Sequence, residues 1–294
     1  MKKIVITFLV LISFGNFGFS KVEGISDTLE TTTVLYKVTH PDSQYESYLF
    51  GTHHAFGKPF FDSLQFAKEA LLSSKILIKE NLNIPGHLAE DIINKRTSTT
   101  KWNKYLDKEN YSYIQALFSP SNLEFDKMTP AELYAFLSRH YKEKVCIKKD
   151  SKANYFSLDD YIGMVAEQNQ IEVVGLETTE EQILLINNDL KGMPRKVHKR
   201  RLGSMINRIQ SESNDHCAEI EWYRKMDFDF RLNEPCQNTL VLSDRNEKWM
   251  IQIQDHFTSK SCFVAVGLSH LMFECGLISK LRALGYEIAP IDVK

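Results

Sequence analysis

Phe263-Val264-Ala265-Val266-Gly267-Leu268-Ser269-His270 is the stretch that decides the fold. A short apolar run stopped by glycine reads as a buried strand. Leu277 to Leu284 then carries helical spacing and is closed by Gly285, and Tyr286 to Ile291 reads as a last strand. Strand, helix and strand in close succession is the unit of an α/β sheet.

Working outward, the same alternation recurs. Thr33 to Thr39 is β-branched and aromatic, His40-Pro41-Asp42-Ser43 reads as a turn, and Ser47 to Phe50 resumes the strand, giving a hairpin that ends at Gly51. A helix is expected next, with Asp62 or Ser63 as N-cap and Leu64, Ala67, Ala70 and Leu71 on one face. Lys75 to Glu80 reads as a short buried strand. Helical spacing follows near 86–95, 108–118, 129–143 and 157–168, punctuated by Pro85, Pro120 and Pro130. Ile171 to Val174 is a strand ended by Gly175, and three helical segments are expected across 178–256. The fold class that follows is α/β: a central mixed sheet flanked by helices, with a long helical insertion over about 86–170.

The N-terminus differs in kind. Lys2 and Lys3 precede an apolar run, Ile4 to Phe14, that is too short to span a bilayer, and Gly15 to Ser20 ends in small residues. This predicts a signal peptide over 1–20, cleaved after Ser20, with the domain occupying 21–294 and lying in the periplasm or secreted. Cleavage removes two of the 36 basic and none of the 38 acidic side chains, leaving a net charge of -4. That balance argues against nucleic acid as partner, and no later segment is apolar enough to span a membrane. The basic run Arg195-Lys196-Val197-His198-Lys199-Arg200-Arg201 reads as a solvated helix face. Five cysteines are present and none forms a C-x-x-C pair. Export permits disulfides, an odd count leaves one thiol over, and Cys217 with Cys236 is one candidate bridge that spacing alone does not decide.

Four places that could carry chemistry each fall at a predicted strand end: Gly51-Thr52-His53-His54, Glu80, Gly175-Leu176-Glu177 and Gly267-Leu268-Ser269-His270. Ligands of open α/β sheets bind at the carboxyl ends of strands. A glycine after a buried strand is expected to allow a tight turn that a side chain would obstruct, with the histidine three residues on pointing back over the sheet edge. A histidine after a strand is most often a loop residue, and a strand-end glutamate most often a rim residue. Glu177-Thr178-Thr179-Glu180 also reads as a helix start. Convergence of all four on one edge is what favours a site. Two imidazoles, His54 and His270, with two carboxylates, Glu80 and Glu177, suit a divalent transition metal such as Mn, Co, Zn or Fe(II). A carboxylate not used as ligand would serve as general base.

These residues also carry a resemblance. Tyr48-Leu49-Phe50-Gly51-Thr52-His53-His54, Val174-Gly175-Leu176-Glu177-Thr178, Asp244-Arg245-Asn246 with Trp249, and Val264 to Leu271 resemble, in order and spacing, the signature blocks of the TraB/GumN family, relatives of the Tiki metalloproteases. The resemblance runs from Thr33 to Val293. It implies the fold of the erythromycin-esterase/ChaN-like group and a metal site at His54, His270, Glu80 and Glu177. It gives Arg245 the role of binding an anionic substrate group or intermediate. Two departures stand out. Met272-Phe273-Glu274 replaces the family's usual Pro-Gly-Glu, which makes that turn bulkier, and His53 replaces a usual apolar residue, adding a ligand or a donor behind the ligands. The function implied is a metal-dependent hydrolase, a peptidase first of all, acting on a peptide or protein. The alternatives are a non-enzymatic envelope protein binding metal or haem, and a metal-free interaction protein. Substrate, metal identity and oligomeric state are not legible.

Overall fold

The computed structural model describes residues 33–148, 156–226 and 228–294; the expected signal over 1–20 lies outside them. The elements are β1 (Leu35–Thr39), β2 (Ser47–Thr52), α1 (Lys58–Asp62), α2 (Gln65–Ser73), β3 (Ile76–Asn81), α3 (Ala89–Asn94), α4 (Lys108–Phe118), α5 (Pro130–Tyr141), α6 (Leu158–Gln168), β4 (Glu172–Glu177), α7 (Thr179–Asp189), α8 (Arg195–Gln210), α9 (Ala218–Lys225), α10 (Asp244–Ser259), β5 (Cys262–Gly267), α11 (Leu277–Ala283) and β6 (Glu287–Ile291). The strands form one six-stranded sheet in the order β4-β3-β5-β2-β1-β6. The chain is therefore of the α/β class, with a mixed sheet flanked by helices.

The described residues divide into two compact units. One gathers those within Asn81–Asn154 and Glu177–Ile220, the other those within Leu11–Glu80, Tyr155–Leu176 and Glu221–Lys294. The helical insertion expected over 86–170 thus has a different extent: α6 belongs with the sheet, and α7 and α8 join the helical unit.

In the sheet unit, β3 and β2 both run parallel to β5, while β2 pairs antiparallel with β1 and β1 with β6. Every residue of β5 is buried, which explains why it reads as a continuous apolar run rather than an alternating one. Parallel pairing sets Thr52 opposite Gly267 and Lys79 opposite Ala265, so β2, β5 and β3 all end at one edge. That edge carries the histidines.

In the helical unit, α5 starts with a capping box. Thr129 Oγ1 accepts from the N–H of Glu132, and the Glu132 carboxylate accepts from the N–H of Thr129. Glu132 is fully buried and takes both guanidinium nitrogens of Arg96 at 2.8 Å each, so its charge is paired as well as bonded. Leu133 and Leu137 of α5 and Leu202 and Ile206 of α8 are fully buried in its core.

Several expectations change. Asp62 and Ser63 do not cap a helix N-terminus. Asp62 ends α1, and α2 starts after Leu64 without a side-chain cap. β4 continues through Gly175 to Glu177 because it has a neighbouring strand to bond. Among the described residues, the interval 178–256 holds four α-helices where three helical segments were expected. Cys217 pairs with Cys146 and Cys236 with Cys275, each within one unit, so the candidate Cys217–Cys236 bridge is overturned. Cys262 is the thiol left over; burial pushes its pKa up to about 12, more than its hydrogen bond with Ser47 lowers it, which disfavours the thiolate.

Candidate functional site

Two hydrogen-bonded networks lie at the ends of the parallel strands, both in the sheet unit. The first starts from β2. Thr52 Oγ1 donates to Asp159 Oδ1 at 2.7 Å, and His54 Nδ1 lies 2.7 Å from Asp159 Oδ2. Asp159 sits in the first turn of α6, whose N-cap Ser157 accepts the N–H of Asp160. A helix N-terminus favours carboxylates there. On β3, Lys79 is buried and donates to the main-chain carbonyl of Asp159 at 3.2 Å, with Asp160 Oδ1 3.8 Å away. Gly163 leaves room for that amine: a Cβ there would lie 3.3 Å from Lys79 Nζ.

Burial alone would raise the Asp159 pKa. The charge and hydrogen bond of His54, the Thr52 hydroxyl and Lys79 outweigh it and hold the carboxyl well below the usual carboxylate range. An ionised carboxylate only accepts, so the His54 Nδ1 carries a proton and donates. Nε2 is then the nitrogen with a lone pair when His54 is neutral.

The second network joins β3, α10 and the turn after β5. Arg245 donates from Nη2 to Glu80 Oε2 at 2.7 Å and from Nη1 to His270 Nε2 at 2.8 Å. Glu80 Oε1 accepts the N–H of Gly267 at 2.7 Å. Asn246 donates from Nδ2 to the carbonyls of His270 and Cys275, which turns its Oδ1 toward His270 Nδ1, 2.7 Å away. The tautomer of His270 is thereby fixed, with the proton on Nδ1 and the lone pair on Nε2. Trp249 packs on both partners, its ring 4.3 Å from His270 and 4.5 Å from the Arg245 guanidinium. Glu80, Arg245, Asn246 and His270 are all buried. Burial first, then the charges of Arg245 and His54, push the His270 pKa well below its ordinary value.

The glycines of the two Gly-x-x-His turns sit where a side chain would obstruct, as expected. Both lie within strands, and neither has the positive φ that only glycine adopts readily. Their role is close approach. A Cβ at Gly51 would come 2.6 Å from Leu268 Cδ1, and one at Gly267 would come 3.2 Å from Glu80 Oε1. The left-handed position is Phe273, at φ 69°, in the turn where the family's usual glycine is absent. The Phe273 N–H donates to the Phe230 carbonyl at 2.9 Å, which helps hold that strained turn.

The sheet unit therefore brings together Glu80, Arg245 and His270 in one network and His54 with Asp159 in the other. Glu177 belongs to the helical unit, where its Oε1 accepts from Gln182 Nε2 at 2.8 Å. His53 Nδ1 accepts the Ala55 N–H at 3.2 Å, and its ring packs against Phe56 and Tyr223. Arg245, expected to meet an anionic substrate, holds Glu80 and His270. Among the described residues, no three His, Cys, Asp or Glu side chains gather closely enough to hold a metal ion. Asp159 and Lys79 escaped the sequence reading, and Thr52 entered it only as part of the Gly51 to His54 turn. Carboxylates just after a Ser N-cap mark a helix start, but nothing local joins Asp159 to a histidine 105 residues earlier.

The description TraB/PrgY/gumN family belongs to the family model that matches residues 34–290, an interval containing every residue of both networks. No curated protein and no solved structure matches the chain.

Proposed function

Because the chain belongs to the TraB/PrgY/gumN family, we propose that it is an exported metal-dependent hydrolase, expected to act on peptides, with its chemistry centred on His54 and His270. One observation carries the reading. Each imidazole has Nδ1 bonded to a buried side-chain oxygen, from Asp159 or Asn246, which leaves Nε2 of His54 to act and turns Nε2 of His270 toward Arg245 Nη1. Proteins orient metal-ligating and proton-accepting histidines in this way.

The donor chemistry would suit a divalent transition metal at His270 Nε2 and Glu80, which leaves Nε2 of His54 free of the ion. Glu80 Oε1 lies 3.9 Å from His270 Nε2, and both face the Arg245 guanidinium, so the pocket already complements positive charge. Arg245 must leave Nε2 of His270 for an ion to bind there. Such an ion would supply a Lewis acid and a water of lowered pKa.

The chain's own residues supply the rest. His54 Nε2 accepts the proton of the attacking water, and Asp159 stabilises the imidazolium that results. Trp249 and the buried walls around Glu80 keep bulk water from the second network, which strengthens every charge inside it. The two disulfides fit an oxidising compartment, and no helix among the described residues is long and apolar enough to cross a membrane.

The test is hydrolysis of a peptide panel by the mature protein with Mn, Co or Zn supplied, alongside elemental analysis. We expect stoichiometric metal, loss of activity on chelation, and loss of metal in a folded H54A/H270A variant. In D159N the wrong tautomer lowers kcat by about 10²–10⁴ while metal content persists. A protein that takes up none of these ions and hydrolyses nothing sinks the proposal.

A further inference from the structure

Helix α8 is the feature of the helical unit that the hydrolase reading does not use. Between Lys191 and Gln210 there are seven basic side chains and no acidic one. Leu202, Met205, Ile206 and Ile209 face inward and are buried, which fixes the helix on its unit and leaves the opposite face outward. Lys191, Arg195, Lys196, Lys199 and Arg200 are all exposed. In the sheet unit, by contrast, Lys58 pairs with Asp62 and Lys260 with Glu172. Among the described residues, none of these five cations has a carboxylate within ion-pairing distance.

The surroundings add to the charge. The ring of Tyr105 lies 6.3 Å from that of His198, which brings the segment with exposed Lys101 and Lys104 alongside α8. Arg201 is the exception on the helix, engaged over the Tyr134 ring at 4.0 Å. A chain of net negative charge thus gathers exposed cations on and beside one helix, without ion pairs among the described residues. Self-repulsion there costs stability unless an anionic surface relieves it.

We propose that the exposed face of α8 docks the protein on an anionic phospholipid bilayer. The complementary partner is a broad sheet of phosphate charge. The apolar side chains of α8 are committed to the core, so the contact is electrostatic and peripheral, without insertion. An export signal, as expected over residues 1–20, would carry the chain across a bilayer. Lys and Arg side chains reaching such a surface each strengthen binding by roughly fivefold at low salt, and the gain fades as salt shortens the screening length.

The experiment is co-sedimentation of the intact mature protein with vesicles of phosphatidylcholine alone or mixed with phosphatidylglycerol, at low and high salt. Binding is expected only to the mixed vesicles and only at low salt. K196Q/K199Q/R200Q should weaken it by roughly 100-fold. K75Q/K225Q/K294Q removes as many exposed charges from the sheet unit and should leave binding unchanged. All six positions are exposed, so both variants are expected to fold. Equal loss in the two variants, or no binding to mixed vesicles by the parent, overturns the proposal. So does binding to nucleic acid with none to vesicles.

Discussion

At the scale of single residues, the site is organised by side chains that fix histidine tautomers. Asn246 is fully buried and makes three hydrogen bonds, to the two carbonyls of His270 and Cys275 and to the His270 ring. Its isosteric replacement by leucine leaves those groups buried without partners, at about 1–3 kcal/mol each. N246L should therefore lose several kcal/mol in urea unfolding, and a loss below about 1 kcal/mol would show that the network is loose. His270 also makes stability depend on pH. Its folded pKa is depressed below the ordinary 6.5, so as pH falls the unfolded chain takes up the proton first. The stability His270 allows is present above pH 6.5 and is lost as pH falls through and below that value, by up to about 1.4 kcal/mol per pH unit. Comparing the parent with H270Q at about pH 7.5 and pH 5.5 isolates this slope; parallel behaviour of the two proteins would remove His270 as its source.

At the scale of elements, the strands and turns at the sheet edge are held by contacts that leave no room for change. Gly51 on β2 is covered by Leu268, so G51A should cost about 1–3 kcal/mol by overpacking and should displace the turn that carries His270. Thermal melts measure the cost, and an unchanged Tm would refute it. The Cys236–Cys275 bridge ties down the other end of that turn, and the Cys275 carbonyl is one of the acceptors that orient Asn246. With a sequence separation of 39, its loss in C236S/C275S should cost about 4 kcal/mol. Amide exchange should quicken in residues 268–276 more than elsewhere. Uniform quickening across the sheet would mean that the bridge acts on global stability alone.

At the scale of the whole molecule, each disulfide staples one of the two units, and the residues of both histidine networks lie in the sheet unit. Removing Cys146–Cys217 should raise amide exchange through α5 and α8, which share a buried core, and leave β2 and β5 protected. Exchange rising equally in the central strands would show that the units do not keep separate stabilities. Much of this organisation was legible in the chain. The strand positions followed from short apolar runs, because a strand buried on both faces leaves an unmistakable mark. The extent of the helical unit was not, because helical spacing shows which face is buried but not which helices share a core.

The sequence by itself determined the α/β class, the family, the strand ends that carry His54, Glu80 and His270, and that an odd number of cysteines leaves at least one thiol unpaired. These are local properties of composition and order, set by apolar periodicity and short motifs. Only the tertiary structure decided the pairings. It joined His54 to Asp159 across 105 residues and Arg245 to Glu80 across 165, and it assigned the disulfides. It also supplied the groups that crowd Gly51 and Gly267, the Leu268 side chain and the Glu80 carboxylate. Hydrogen bonds and steric contacts between distant segments depend on distances that exist only once the strands are in register, and no spacing along the chain encodes them.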